Sequence, residues 1–175
     1  MSDTATGRRA LGVDVGTVRV GLAISDPDRT VATALETLSA SELEPSGRDR
    51  TRASDRTGGR RPGDPPARDD EEAWAAGLAA RILELAAERD VGTVVVGLPK
   101  GMSGRDTAST RAARAVARAV EQGGVEVALE DERLSSVTAE RALRAEGRGG
   151  RERRARRDQV AAVLILQSWL DAQRR

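Results

Sequence analysis

Apolar residues along this chain form three short runs before about residue 39, thin out until about residue 70, and then return in alternating helix-like and strand-like patterns to the C-terminus. Residues 10–15 predict a strand, and 18–25 alternate well enough to be a second one, joined to the first by a turn at Gly16-Thr17. A third strand is predicted over 31–38, with Pro27 punctuating the connection before it. Helical periodicity starts at Glu71, where Trp74, Leu78, Ile82 and Leu85 share a face and Asp70, Glu71 and Glu72 sit at the favourable N-terminal end. Residues 92–98 form a continuous apolar run of the kind buried on both faces, ended by Pro99 and followed by a loop over 100–104. A second helix is predicted over 106–122, stopping at Gly123-Gly124, then a strand over 125–129. Two more helices follow, over 136–146 and 158–173, the last burying Val160, Val163, Leu164, Ile165 and Trp169. Three meander strands followed by strand–helix alternation give an α/β protein with a mixed sheet and helices on its faces.

Composition divides the chain further. Residues 39–70 are dominated by Arg, Asp, Gly, Pro and Ser, and bury too little apolar surface to offset the entropy of ordering, so they read as a disordered insertion. The residues before them are too few to fold alone. The expectation is therefore a flexible tail over 1–9 and one domain over 10–175, interrupted by that insertion. No apolar run approaches the roughly 20 residues that span a bilayer, and 1–9 lacks a signal-like apolar stretch. With no cysteine to argue for an oxidising compartment, a cytoplasmic protein without membrane contact is expected.

The same composition narrows the chemistry. The 175 residues include no His and no Cys, which removes the commonest general base, the thiolate nucleophile and the usual zinc ligands. Lys100 is the sole lysine and lies outside any phosphate-cradling P-loop pattern. Carboxylates remain, as proton carriers or as ligands of a hard cation. Asp14 interrupts the apolar pattern of its strand, Asp131 and Glu132 follow the strand over 125–129, and Asp158 opens the last helix, where it either caps the helix or serves a site. Residues beyond the carboxyl ends of sheet strands gather along one edge. Three carboxylates meeting there need a divalent cation between them, an arrangement suited to hydrolysis of a phosphodiester.

The net charge of +1 argues against a uniformly basic nucleic-acid binder, but one local run stands out, Arg148-Gly149-Gly150-Arg151-Glu152-Arg153-Arg154-Ala155-Arg156-Arg157. It reads as a flexible basic loop leading into Asp158 and able to hold phosphates by charge. With two Trp and no Phe or Tyr, base stacking is excluded as a main mode of binding, so contact should be to the backbone and sensitive to salt.

Four segments together resemble the YqgF (RuvX) family, described as pre-16S rRNA nucleases or Holliday-junction-resolvase-like proteins. They are Gly12-Val13-Asp14-Val15-Gly16-Thr17 with Arg19 and Gly21; Val96-Gly97-Leu98-Pro99 with Met102 and Gly104; Asp131-Glu132-Arg133-Leu134-Ser135-Ser136; and Asp158 to Ser168. The resemblance implies a ribonuclease-H-like fold and a nuclease that trims the 5′ end of 16S ribosomal RNA precursor in the cytoplasm. It implies a catalytic set of Asp14, Asp131 or Glu132, and Asp158, with Asp14, Glu132 and Asp158 as expected ligands of Mg²⁺ or Mn²⁺. Strand alternation alone does not decide between Asp131 and Glu132. Expected substrate contacts are Thr17, Arg19, Lys100, Arg133, Arg154, Arg156 and Arg157, and the expected partner is precursor ribosomal RNA or a pre-ribosomal particle. The chain departs from the family pattern at Val18, at Lys100-Gly101 and in its long insertion.

Three other functions fit parts of the pattern. A resolvase of four-way DNA junctions would use the same carboxylates, in a two-fold dimer for which the sequence identifies no interface. A non-catalytic nucleic-acid-binding factor would keep the fold without turnover. An actin-like or sugar-kinase ATPase also opens with Asp-x-Gly-Thr but needs two such lobes, and this length provides one.

Overall fold

The computed structural model describes residues 8–16, 19–39, 68–99, 107–131 and 150–174, with residues 68–70 and 150–158 described by their backbone course. Strand β1 (Arg9–Val15) pairs antiparallel with β2 (Arg19–Ser25), which pairs antiparallel with β3 (Ala32–Ser39). Helix α1 (Arg68–Glu88) then leads to β4 (Val91–Leu98), which returns parallel to β1. Helix α2 (Ala108–Gln122) leads to β5 (Glu126–Asp131), parallel to β4, and α3 (Gly150–Gln173) closes the described chain. The sheet is mixed, as the meander-then-alternation pattern predicts, and its strand order is β3-β2-β1-β4-β5. Residues 1–7, 40–67, 100–106 and 132–149 fall outside the described residues, and with them most of the expected tail, the insertion and the helix over 136–146.

Strand alternation sorts the core into two layers. Leu11, Val13 and Val15 of β1 join Val94, Val96 and Leu98 of β4 beneath α1 and α2, whose Leu78, Ile82, Leu85, Val116 and Val120 fill that side. Ala10, Ala23, Ala32 and Val95 face the other way, under Ala162, Ile165, Leu166 and Leu170 of α3. The small strand residues on this second face let α3 lie low on the sheet. That close approach turns the helix so that Ala162, Ile165, Leu166 and Leu170 form its buried stripe, while Val160, Val163, Leu164 and Trp169, expected to lead it, are half-buried.

Two boundaries differ from the pattern in ways that affect function. Pairing with β4 continues through Leu98, so Glu130 and Asp131 are drawn into β5 two residues beyond the predicted end at 129. Helix α3 begins at Gly150 instead of 158, which makes the basic run helical from that point and not a flexible loop. Arg and Ala are strong helix formers, and no Gly or Pro intervenes between Gly150 and Asp158. Asp158 therefore sits more than two turns inside α3 and is not its N-cap. Among the described residues no helix is long and apolar enough to cross a membrane.

Candidate nuclease site

The carboxyl ends of the parallel strands β1, β4 and β5 point to one edge of the sheet, and Asp14 is the half-buried acid that β1 delivers there. Alternation with the buried Val13 and Val15 puts Asp14 on the α3 face. Gly21 of β2 stands directly across from it, and Thr37 of β3 stands across from Gly21. On the other side, the register Val13↔Val96 brings the next residue of β4, Gly97, alongside Asp14, and Gly97 pairs in turn with Glu130. Asp14 thus occupies the middle of a row reading Thr37, Gly21, Asp14, Gly97, Glu130. Its register neighbours on both sides are therefore glycines. The turn beyond it is tight: Gly16 N–H donates to the Arg19 carbonyl at 3.0 Å, and a Cβ on Gly16 would fall 2.6 Å from that same oxygen.

Helix α3 runs antiparallel to β1 across this face. At its C-terminal end, the Gln167 side-chain oxygen accepts from Ala32 N–H at 2.9 Å, and Arg174 donates to the Arg29 carbonyl at 3.2 Å. Arg29 itself donates to the Arg8 carbonyl, next to the start of β1. The N-terminal half of α3 must therefore extend toward the end of β1, where Asp14 lies. A Cβ on Gly12 would meet the Ala162 carbonyl oxygen at 2.9 Å and the Leu166 Cβ at 2.7 Å, so Ala162 lies directly over Gly12. From that crossing, Asp158 is one helical turn, about 6 Å, toward the helix N-terminus. Asp14 is two strand residues, about 7 Å, in the same direction. The backbone thus carries Asp158 and Asp14 to the same end of the same face.

The other predicted positions divide clearly. Arg19 opens β2 on the α3 face, two residues before Gly21 and at the same sheet edge as Asp14. Asp131 is the last residue of β5 and pairs with Leu98, whose side chain packs beneath α1 and α2, so Asp131 lies on the face opposite Asp14. Thr17, Lys100, Glu132 and Arg133 lie outside the described residues, while Arg154, Arg156, Arg157 and Asp158 are described by backbone, on the N-terminal part of α3. Among the described residues no three acidic, His or Cys side chains gather into a metal-binding group. The donors that the whole chain can offer at this edge are nevertheless oxygen atoms, since it has no His or Cys, and oxygen donors fit a hard cation such as Mg²⁺ or Mn²⁺.

Glu130 is an acid the pattern does not single out. It shares the α3 face and the Asp14 row, and its Oε1 accepts from the Ser168 hydroxyl of α3 at 2.7 Å. A strand read as ending at 129 leaves it in a loop. Its place at period two from Ala128 is the signal that extends the strand and finds it.

At the N-terminal end of α2, Thr107 caps the helix and exchanges a capping box with Thr110, whose buried hydroxyl donates to the Pro99 carbonyl. This fastens the end of β4, beside Asp14, to the helix that follows it.

A family model described as RuvX, Holliday junction resolvase, matches residues 8–51 and 67–172. A protein of Clavibacter sepedonicus named "Putative pre-16S rRNA nuclease" is 42% identical over 165 residues, covering 94% of this chain and 83% of its own. One of Corynebacterium jeikeium with the same name is 37% identical over 176 residues, covering 99% and 92%. Among solved structures, T. thermophilus RuvC in complex with Holliday junction substrate superposes with a TM-score of 0.52 at 17% identity, over 95% of this chain and 96% of that one. At that identity the likeness is one of fold, and it agrees with the expected ribonuclease-H-like sheet.

Proposed function

This chain belongs to the RuvX family, and from that premise we propose that it is a metal-dependent endonuclease that processes the 5′ end of 16S ribosomal RNA precursor by phosphodiester hydrolysis. The observation that carries this reading is Asp14, a half-buried carboxylate held mid-sheet between two glycines, at the end of the face that α3 crosses with Asp158. Asp14, Glu132 and Asp158 would hold the cation. Glu132 is preferred to Asp131 because the β5 register puts Asp131 on the far face. A divalent cation bound there supplies a lowered pKa for the attacking water and charge stabilisation for the leaving oxygen.

The chain's own residues do the rest. Asp14 orients the reacting groups from the centre of the sheet, and the rigid ladder on both sides of it limits its drift. Arg19 sits at the same edge to take a backbone phosphate, joined by Thr17, Lys100 and Arg133. Arg154, Arg156 and Arg157 lie within the helical turn or so that precedes Asp158, so a strand they hold by its phosphates is brought beside the acids. With precursor ribosomal RNA or a pre-ribosomal particle as substrate, the work belongs in the cytoplasm.

The test is a comparison of substrates. The purified protein is incubated in Mg²⁺ or Mn²⁺ with a 5′-extended 16S precursor fragment and, separately, with a four-way DNA junction. Cleavage of the RNA at the 5′ extension, abolished by chelation, is the expected result. Cleavage of the junction alone would favour the resolvase reading, and inactivity on both would favour a binding factor without turnover.

A further inference from the structure

We propose that the Glu130–Ser168 hydrogen bond is a positioning clamp that fixes the distance between the acidic segment following β5 and the acid on α3. This rests on the nuclease reading of the Asp14 site and gives Glu130 and Ser168 a part in it. Helix α3 packs chiefly on β1, β2 and β3, and lies only marginally over β5. Across that thin margin the Ser168 hydroxyl donates to Glu130 Oε1 at 2.7 Å, in a part-buried setting. A hydroxyl bound to a carboxylate oxygen is among the stronger neutral-donor contacts, and partial burial limits competition by water.

The placement gives this bond leverage. Glu130 immediately precedes Asp131 and is two residues from Glu132, so anchoring it sets where the chain leaves the sheet. Ser168 is on the same continuous helix as Asp158, so anchoring it holds the side of that helix to the end of β5. Glu130 also closes the row that runs through Gly97 to Asp14. One bond therefore ties together the two elements that carry the second and third acids, on the face of the first. Carboxylates that share a cation must be held to within a fraction of an ångström, and that precision comes from the residues behind them.

The test uses full-length protein and Mn²⁺ as the probe. Glu130→Ala and Ser168→Ala each raise the Mn²⁺ concentration for half-maximal cleavage by about tenfold, the usual effect of losing a partner behind a metal ligand. They weaken by a similar factor the Mn²⁺ dependence of thermal stabilisation, which reads binding without turnover. Ser168→Thr and Glu130→Gln, which retain the hydroxyl and the acceptor oxygen, restore both readouts most of the way. The double alanine variant is no worse than either single one, as expected for two ends of one bond.

Unchanged Mn²⁺ midpoints in both alanine variants would overturn the clamp, whatever happens to overall stability. An effect of Glu130→Gln as large as that of Glu130→Ala, with Ser168→Ala silent, would also overturn it, by making Glu130 a ligand in its own right. Asp14→Asn run in parallel separates these failures from failure of the site. If that variant cleaves normally the nuclease reading falls, and if it is inactive while the clamp variants are silent, only the clamp falls.

Discussion

Leu166 of α3 sits so close over Gly12 of β1 that a Cβ on Gly12 would come within 2.7 Å of the Leu166 Cβ and 2.9 Å of the Ala162 carbonyl oxygen. Neither obstacle is the end of a flexible side chain, so the helix as a whole must move to admit one. This contact sets the height of α3 above the sheet and, through the rigid helix, the position of Asp158 over the end of β1. Gly12→Ala is expected to cost about 1–3 kcal/mol through overpacking. For a chain of this size that is a fall of several degrees in Tm. Thermal denaturation followed by circular dichroism checks it, and an unchanged Tm would mean that α3 does not lie this low.

The connection between β2 and β3 predicts a response to acid. Asp26 accepts from Thr30 N–H at 2.5 Å, from the Thr30 hydroxyl at 2.6 Å and from Val31 N–H at 2.9 Å. The bonds from the Thr30 side chain and the Val31 amide, ahead of the rest, hold its carboxyl down at about 2, against 3.8 for a free aspartate. A carboxyl depressed in the folded state stabilises the protein above its unfolded pKa, and that contribution fades as pH falls through the folded value. The Tm advantage of the native chain over Asp26→Ala should be full above about pH 5 and shrink steadily between pH 4 and 2. An advantage independent of pH over that window would show that the carboxylate is not what orders the turn.

The basic part of α3 predicts how binding depends on salt. If Arg154, Arg156 and Arg157 each neutralise a phosphate, replacing all three with Gln preserves helix propensity and removes three counterion-releasing contacts. On single-stranded RNA the plot of log Kd against log salt concentration should become shallower by about 2. Binding titrations with an RNA of fixed sequence at several salt concentrations give the slope directly. An unchanged slope would place the phosphate contacts elsewhere on the protein.

Much of this arrangement is legible in the chain, because the decisive residues violate their local pattern. Asp14 is conspicuous as a carboxylate in an apolar strand, and the run of three valines over 94–96 marks β4 as covered on both faces, as the structure has it. What the pattern misses depends on partners distant in sequence. Locally only the period-two spacing of Ala128 and Glu130 points to a longer β5, and it is the ladder with Gly97 and Leu98 that draws Glu130 and Asp131 in. The same register puts Asp131 on the face opposite Asp14, which the local pattern does not show until the strand's end is known. The start of α3 is misjudged for a different reason. Charge density makes 150–157 look like a solvated loop, while the Arg and Ala content favours a helix. The buried stripe of α3 follows Ala162, Ile165, Leu166 and Leu170 because Gly12 of β1 admits the helix at Ala162 and Leu166, a contact that the helix sequence alone does not show.

The central claim is that Asp14 takes part in hydrolysis and not merely in folding. The most direct measurement is single-turnover cleavage of a 5′-extended 16S precursor fragment in Mn²⁺ by the native chain and by Asp14→Asn, with RNA affinity and Tm measured on the same preparations. The account predicts that Asp14→Asn retains Tm and RNA binding but loses cleavage by at least about a hundredfold, the scale expected when a group acting in the transition state is removed. Cleavage by Asp14→Asn at the native rate would contradict it.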